Sequence, residues 1–108
     1  MRDSAKGGAL TEVTFYILLS LYEPKHGYAI MQFIEEVTYG RLNLGAGTLY
    51  GALNILQDKN WITLYKNKGG RKKEYIITML GKEVAEKELV RLNQLVDIAT
   101  EIIGGNSL

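Results

Sequence analysis

The chain has no cysteine, and its 108 residues include only one proline, one histidine and one tryptophan. Without cysteine it can form neither a disulfide framework nor a thiolate metal site. The single histidine, His26, has no second imidazole with which to share a metal ion, so a turn or helix-cap role is favoured over metal ligation. The longest apolar run, residues 15–19, is far too short to span a bilayer. The first residues also lack the order of a signal peptide. We therefore expect a cytoplasmic protein with no membrane partner, metal or cofactor.

Groups that could carry out catalysis are equally scarce. Glu35 and Glu36 are adjacent in the sequence, so they point in different directions on a helix. No serine has a plausible histidine partner. The glycine-rich residues 45–48 lack the lysine and the preceding strand of a phosphate-binding loop. We expect no catalytic residues and no enzymatic activity.

Positive charge is concentrated in one place. The net charge is only +1, yet the segment from Lys59 to Lys73 holds six Lys or Arg and no Asp or Glu. This segment follows an amphipathic helix and contains two short strand-like runs around Gly69 and Gly70. A helix followed by a basic hairpin is typical of a winged helix-turn-helix, in which the helix enters the major groove and the wing contacts phosphates.

Hydrophobic periodicity predicts a mainly α (α+β) fold of this kind with a long C-terminal dimerisation helix. We expect helices at about residues 10–22, 27–37, 48–58 and 78–103, with Gly40 as a left-handed cap after the second and Thr78, or alternatively Gly81, at the start of the last. We expect strands at residues 61–65 and 74–78, joined by a flexible loop, residues 66–73, which we call the wing. The predicted organisation is a flexible N-terminal arm (1–9), a winged-helix domain (10–78), a dimerisation helix (79–104) and a tail (105–108).

The last helix carries more apolar surface than so small a domain can cover. Its apolar residues from Ala85 to Ile103 are spaced 4-3-4-3-4, which forms a heptad seam along the helix. Leu95, Ile98 and Ile102 widen this seam. The first helix has a second apolar face as well. We expect a second copy of the chain to cover these surfaces, forming a homodimer. The predicted interface comprises Phe15, Leu19, Tyr22, Ala85, Leu89, Leu92, Val96, Ala99 and Ile103.

The order of elements and several short motifs resemble the PadR family of bacterial transcriptional regulators. The motifs are His26-Gly27-Tyr28, Gly47-Thr48-Leu49-Tyr50, Trp61-Ile62, and Arg71-Lys72-Lys73-Glu74-Tyr75 with Thr78 and Gly81. Each motif is weak alone, but together they cover residues 10–103 in order. The length is similar to the short branch of the family, which has a single C-terminal helix.

The resemblance implies a homodimeric repressor that binds inverted-repeat operators in double-stranded DNA and is often released by a small apolar or aromatic effector. The implied effector cavity lies between subunits and is lined by Phe15, Leu19, Leu92, Val96 and Ala99. The chain departs from the family in two places. Its last helix has no tryptophan to stack on a flat drug, and Gly51 stands where many members have proline.

The candidate DNA-binding residues lie on the third helix, on the wing and at Tyr28. Gly51 in mid-helix costs roughly 1 kcal/mol relative to alanine, and bare backbone there would allow close approach of DNA. The set comprises Tyr28, Thr48, Tyr50, Gly51, Asn54, Lys66, Lys68, Gly69, Gly70, Arg71, Lys72 and Lys73.

Each of these assignments has an alternative. The polar face of the third helix and the positive charge of the wing are also typical of a surface that contacts only solvent. Tyr28 fits the core as well as a phosphate contact, and Trp61 fits a hairpin anchor or a ligand pocket. The alternative function is a dimeric winged-helix protein-interaction module that does not read DNA.

Overall fold

The structure is a computed structural model that describes residues 8–68 and 72–105. Its elements in chain order are α1 (Glu12–Ser20), β1 (Lys25–His26), α2 (Gly27–Val37), α3 (Ala46–Asp58), β2 (Ile62–Lys68), β3 (Lys72–Ile77) and α4 (Met79–Ile103). The predicted class, a mainly helical winged helix-turn-helix with a long C-terminal helix, is confirmed. Within the described part of the chain, no helix has the length and apolar character needed to cross a membrane.

Side-chain caps set where α1, α2 and α4 begin. Thr11, His26 and Thr78 each accept a hydrogen bond from the backbone N–H three residues later, at 3.2, 3.3 and 3.0 Å. The cap at Thr11 makes α1 start at Glu12, later than predicted. The cap role predicted for His26 and the start predicted at Thr78 are confirmed. Gly40 follows α2 with a φ of +79°, the left-handed conformation expected there.

The core lies where α1, α2 and α3 meet the sheet. Each of the three helices contributes fully buried apolar residues, and Ile62 of β2 with Tyr75 and Ile77 of β3 complete the core. The core cluster comprises Ile17, Leu18, Leu21, Ile30, Ile34, Leu49, Ala52, Leu53, Leu56, Ile62, Tyr75 and Ile77.

The sheet has three antiparallel strands in the order β1-β3-β2. The sequence did not predict β1, because a strand of two residues has no periodicity to detect. The wing was expected to be a flexible loop, and this was wrong for most of its length. Pairing continues through Asn67↔Lys73 and Lys68↔Lys72, with a bulge between Leu64 and Lys66. Residues 69–71 lie outside the described residues.

The first part of α4 packs against its own domain, contacting α1 and β3. Gly81 allows this approach, since a Cβ there would overlap the carbonyl oxygen of Trp61 and lie 2.7 Å from Ile77 Cγ1. One turn later, Ala85 is only 3% exposed. The heptad pattern had assigned Ala85 to the dimer seam. Its own domain already buries it, so the free part of the seam begins at Leu89.

A buried carboxylate ties α4 to the start of α1. Glu88 is 4% exposed. It accepts hydrogen bonds from Arg91 Nε at 2.8 Å and Nη2 at 2.7 Å, and from the backbone N–H of Leu10 at 3.4 Å. The Arg91 hydrogen bonds lower the pKa of Glu88; burial opposes them, and the Leu10 N–H adds to the lowering. The charged form of Glu88 therefore stabilises the folded state.

We predict that Glu88→Gln destabilises the protein by about 1–3 kcal/mol at pH 7, because Arg91 loses its charged partner. A carboxyl group with a lowered folded-state pKa contributes stability above its unfolded pKa and loses it as the pH falls through the folded value. The difference between parent and variant should therefore shrink below about pH 4. Urea unfolding at pH 7 and pH 3.5 measures it. Glu86→Gln, at an exposed α4 carboxylate, is the control. An equal effect of both substitutions at pH 7 would contradict the prediction.

Candidate nucleic-acid interface

The two faces of α3 differ sharply. Leu49, Ala52, Leu53 and Leu56 are buried in the core, so the opposite face must point away from the domain. Thr48, Gly51 and Asn54 are exposed on that side. Hydroxyl and amide groups can pair with base edges in a major groove. The polar face of α3 that the sequence predicted is therefore exposed at all three of these positions.

Tyr50 has a different setting from Thr48 and Asn54. It is 45% exposed, but its hydroxyl end reaches across to the start of α2. A Cβ on buried Gly27 would lie 2.7 Å from Tyr50 Cζ, so glycine makes room for this ring. The nearby Tyr75 has a raised pKa, caused first by burial and then by the Tyr50 hydroxyl. Tyr50 therefore joins α3 to α2 and β3, and only part of its ring faces outward.

Three of the short motifs that are separate in the sequence meet at this point. β1 pairs with β3 through Lys25↔Tyr75 and His26↔Glu74. His26 caps α2, Gly27 lies under Tyr50, and the charge of Tyr50 influences the pKa of Tyr75 on β3. Their spacing thus reflects one contiguous contact among the start of α2, α3 and β3.

Tyr28 is the second residue of α2 and is 61% exposed. Its alternative role in the core is excluded by this exposure. It follows Gly27 at the positive end of the helix dipole, where an anion would be favoured.

The wing is held close to α3 because β2 follows that helix directly and packs against it. Lys66 and Lys68 lie on β2, and Lys72 and Lys73 lie on the paired strand β3. The side chain of Lys73 is exposed. The remaining predicted wing residues, Gly69, Gly70 and Arg71, lie outside the described residues.

The contacts of Trp61 support the hairpin-anchor role, one of the two left open by the sequence. It is half-buried against the core, and its backbone N–H donates to Leu56 while its carbonyl accepts from Thr78, both at 3.0 Å. It thus anchors the hairpin between α3 and α4. Lys59 Nζ lies 4.9 Å from the ring centroid. Another edge of Trp61 lines an open hollow of about 260 Å³ beside Val84 and Glu88.

The distal part of α4 exposes a broad apolar surface. Of the predicted seam, Leu89, Val96 and Ile103 are more than half exposed, while Leu92 and Ala99 are partly covered. Leu95, Ile98 and Ile102 are about half exposed beside it. On α1, Leu19 is exposed and Phe15 is partly buried, and Tyr22 just after α1 is exposed.

An open hollow of about 420 Å³ lies between α1 and α4. Three residues predicted for an effector cavity, Phe15, Leu19 and Leu92, line it, but Val96 and Ala99 do not. The sequence missed its polar end, which is formed by Glu12, Tyr16, Glu88 and Arg91. The spacing of Glu88 and Arg91, three residues apart on one helix, was the only signal for this pair. The pKa of Glu12 is lowered by its hydrogen bonds from exposed Arg41.

Comparison with known proteins gives family and fold. The model of the transcriptional regulator PadR-like family matches residues 17–87. The chain is 43% identical over 65 residues to an uncharacterized 37.1 kDa protein in a transposon of Streptomyces fradiae, and 32% identical over 65 residues to the transcriptional regulator YqjI of Escherichia coli. Each match covers 60% of this chain but only 18% and 31% of those longer proteins. Uncharacterized protein X of Lysinibacillus sphaericus is 32% identical over 89 residues, covering 77% of this chain and 82% of that protein.

Solved structures agree with this. A PadR family transcription regulator from Clostridium difficile is 25% identical with a TM-score of 0.70, covering 84% of this chain and 97% of that one. Bacillus subtilis PadR in complex with operator DNA is 25% identical with a TM-score of 0.64, covering 74% of this chain and 48% of that one. A transcriptional regulator from Clostridium thermocellum, at 24% identity and a TM-score of 0.74, shares the fold. The chain belongs to the PadR-like family, whose members are transcriptional regulators and not enzymes.

Proposed function

We propose that this chain is a DNA-binding transcriptional repressor that acts in the cytoplasm as a homodimer on an inverted-repeat operator. The observation that carries the proposal is the outward polar face of α3 beside a hairpin rich in lysine. The similarity to a solved PadR bound to operator DNA supports it.

In this proposal α3 enters the major groove and supplies sequence preference. Thr48 and Asn54 are exposed, and an amide pairs well with an adenine edge. Tyr28 and the outer part of Tyr50 lie at the positive end of α2, where they would meet a phosphate. These contacts would place α3 in register without reading bases.

The wing supplies affinity that does not depend on sequence. Its lysines would neutralise phosphates next to the groove that α3 occupies, releasing counterions. Pairing of β2 with β3 as far as Lys68 and Lys72 fixes the backbone at these lysines before DNA binds. Less conformational entropy is then lost when the lysines engage DNA.

The distal part of α4 supplies the dimer in this proposal. At about 100° per residue, its apolar side chains cover roughly half of the helix circumference. A coiled-coil seam is narrower, so a single partner helix would leave part of this surface exposed. The partner's α4 and α1 together would cover it. Two α3 helices would then lie about 34 Å apart, one turn of DNA.

The hollow between α1 and α4 is the proposed effector site. Leu10, Phe15, Leu19 and Leu92 give it an apolar wall, which suits a mainly apolar, aromatic compound. Because α1 and α4 would both belong to the dimer interface, a bound compound would change the spacing of the two α3 helices. Affinity for DNA would fall if the compound bound the two arrangements unequally.

We predict that the wing and α3 contribute in different ways. Lys72→Gln/Lys73→Gln should weaken binding to every duplex and reduce the slope of log affinity against log salt by about 0.9 per lost phosphate contact. Asn54→Ala should instead reduce the preference for a duplex selected from a random library over random DNA. Lys87→Gln on α4 is the charge control. Fluorescence anisotropy across a salt series measures both effects. If the parent binds no duplex at low salt, a protein-interaction module becomes the better function.

We predict that Val96→Asp prevents dimer formation, because it places a charge against apolar partner side chains at a cost of several kcal/mol. Gln94→Asp, on the polar side of the same helix, should leave the dimer intact. Sedimentation velocity at micromolar concentration distinguishes the two variants. A parent that sediments as a monomer would refute the proposed dimer.

We predict that planar aromatic compounds bind the dimer with modest affinity and that operator DNA weakens their binding. The chain has no tryptophan on α4 to stack on them. Isothermal titration with and without the selected duplex measures this linkage, with Leu19→Ser as the variant that makes the apolar wall polar. Equal affinity in both titrations would show that the compound does not regulate DNA binding.

A further inference from the structure

Most of the glycines in the described elements and turns have a reason within the fold. A Cβ on Gly27 or Gly81 would overlap a neighbouring group, and Gly40 adopts a left-handed φ. Gly51 has neither reason. It lies in the interior of α3, its φ is not positive, and a Cβ there would meet nothing within 4 Å. Since glycine weakens a helix interior relative to alanine, the fold alone would favour alanine at this position.

The surroundings of Gly51 suggest that the glycine is there for binding and not for folding. It lines an open groove of about 500 Å³ between α3 and the start of α1. Thr48 and Ile55 of α3 and Val13 of α1 form the walls of the groove. By helical periodicity, Gly51 lies nearly opposite buried Leu49 and Leu53, on the exposed face of α3.

We propose that Gly51 is a positioning residue for DNA: its missing side chain lets the edge of the duplex seat in this groove against the α3 backbone. The inference rests on the proposed DNA-binding function. With a side chain at position 51, α3 would stand further from the base edges. The hydrogen bonds expected of Thr48 and Asn54 would then lengthen, and such bonds weaken steeply with distance and angle.

The test separates stability from binding with two charge-neutral substitutions. Gly51→Ala and Asn93→Ala each raise helix propensity, the first in the groove and the second on an exposed turn of α4. Both should raise the thermal unfolding midpoint. Only Gly51→Ala should weaken binding to the duplex selected by the parent, by about tenfold or more. The effect on random duplex DNA should be smaller, because phosphate contacts persist when base contacts lengthen.

The outcomes are distinguishable. A stabilised Gly51→Ala that binds the selected duplex as tightly as the parent would overturn the positioning role and leave the proposed function standing. If the parent binds no duplex, both the positioning role and the proposed DNA-binding function are wrong. Gly47→Ala provides a second variant in the same groove, because a Cβ there is also free of neighbours. If Gly51→Ala fails to fold, weaker binding by a folded Gly47→Ala supports the open groove, and unchanged binding counts against it.

Discussion

The close contact between α4 and the backbone at Trp61 determines how the rest of the molecule is arranged. Gly81 permits it, because any larger residue would overlap the Trp61 carbonyl. Thr78 accepts the N–H of Gly81, and its hydroxyl donates to the carbonyl of Asn60 at 2.7 Å. One junction thereby connects the end of α3, the base of the hairpin and the beginning of α4. The direction in which α4 leaves the domain follows from these few contacts.

The same junction connects the candidate DNA-binding surface to the candidate dimer surface. From Gly81, α4 runs past α1, where Glu88 accepts the backbone N–H of Leu10. The molecule is consequently elongated, with extents of 59 × 28 × 22 Å, because the distal part of α4 extends beyond the domain. In the proposed dimer, a displacement of α4 relative to α1 would be transmitted to α3 through a tightly packed core. This gives the proposed effector site a physical route to the spacing of the two α3 helices.

Local signals in the sequence predicted much of the fold. The apolar spacing of α2 and α3 located both helices, and the caps at His26 and Thr78 were expected from residue type and position. The wing was the main error. Its glycines and lysines suggested a loop, but cross-strand pairing with β3 carried β2 as far as Lys68. Strand length depends on the partner strand, and a single segment does not contain that information.

The sequence by itself determined the order of elements, the basic character of the hairpin, the polar face of α3 and the apolar surplus of α4. These features depend on residue type and on spacing within one element, which can be read without a partner. Only the tertiary structure decided which long-range neighbours meet. It turned the end of Tyr50 toward Gly27, buried Ala85 in its own domain and placed Glu88 beside Leu10. The physical reason is that helical periodicity defines which side of an element is apolar, whereas the packing of other elements decides which part of that side is covered.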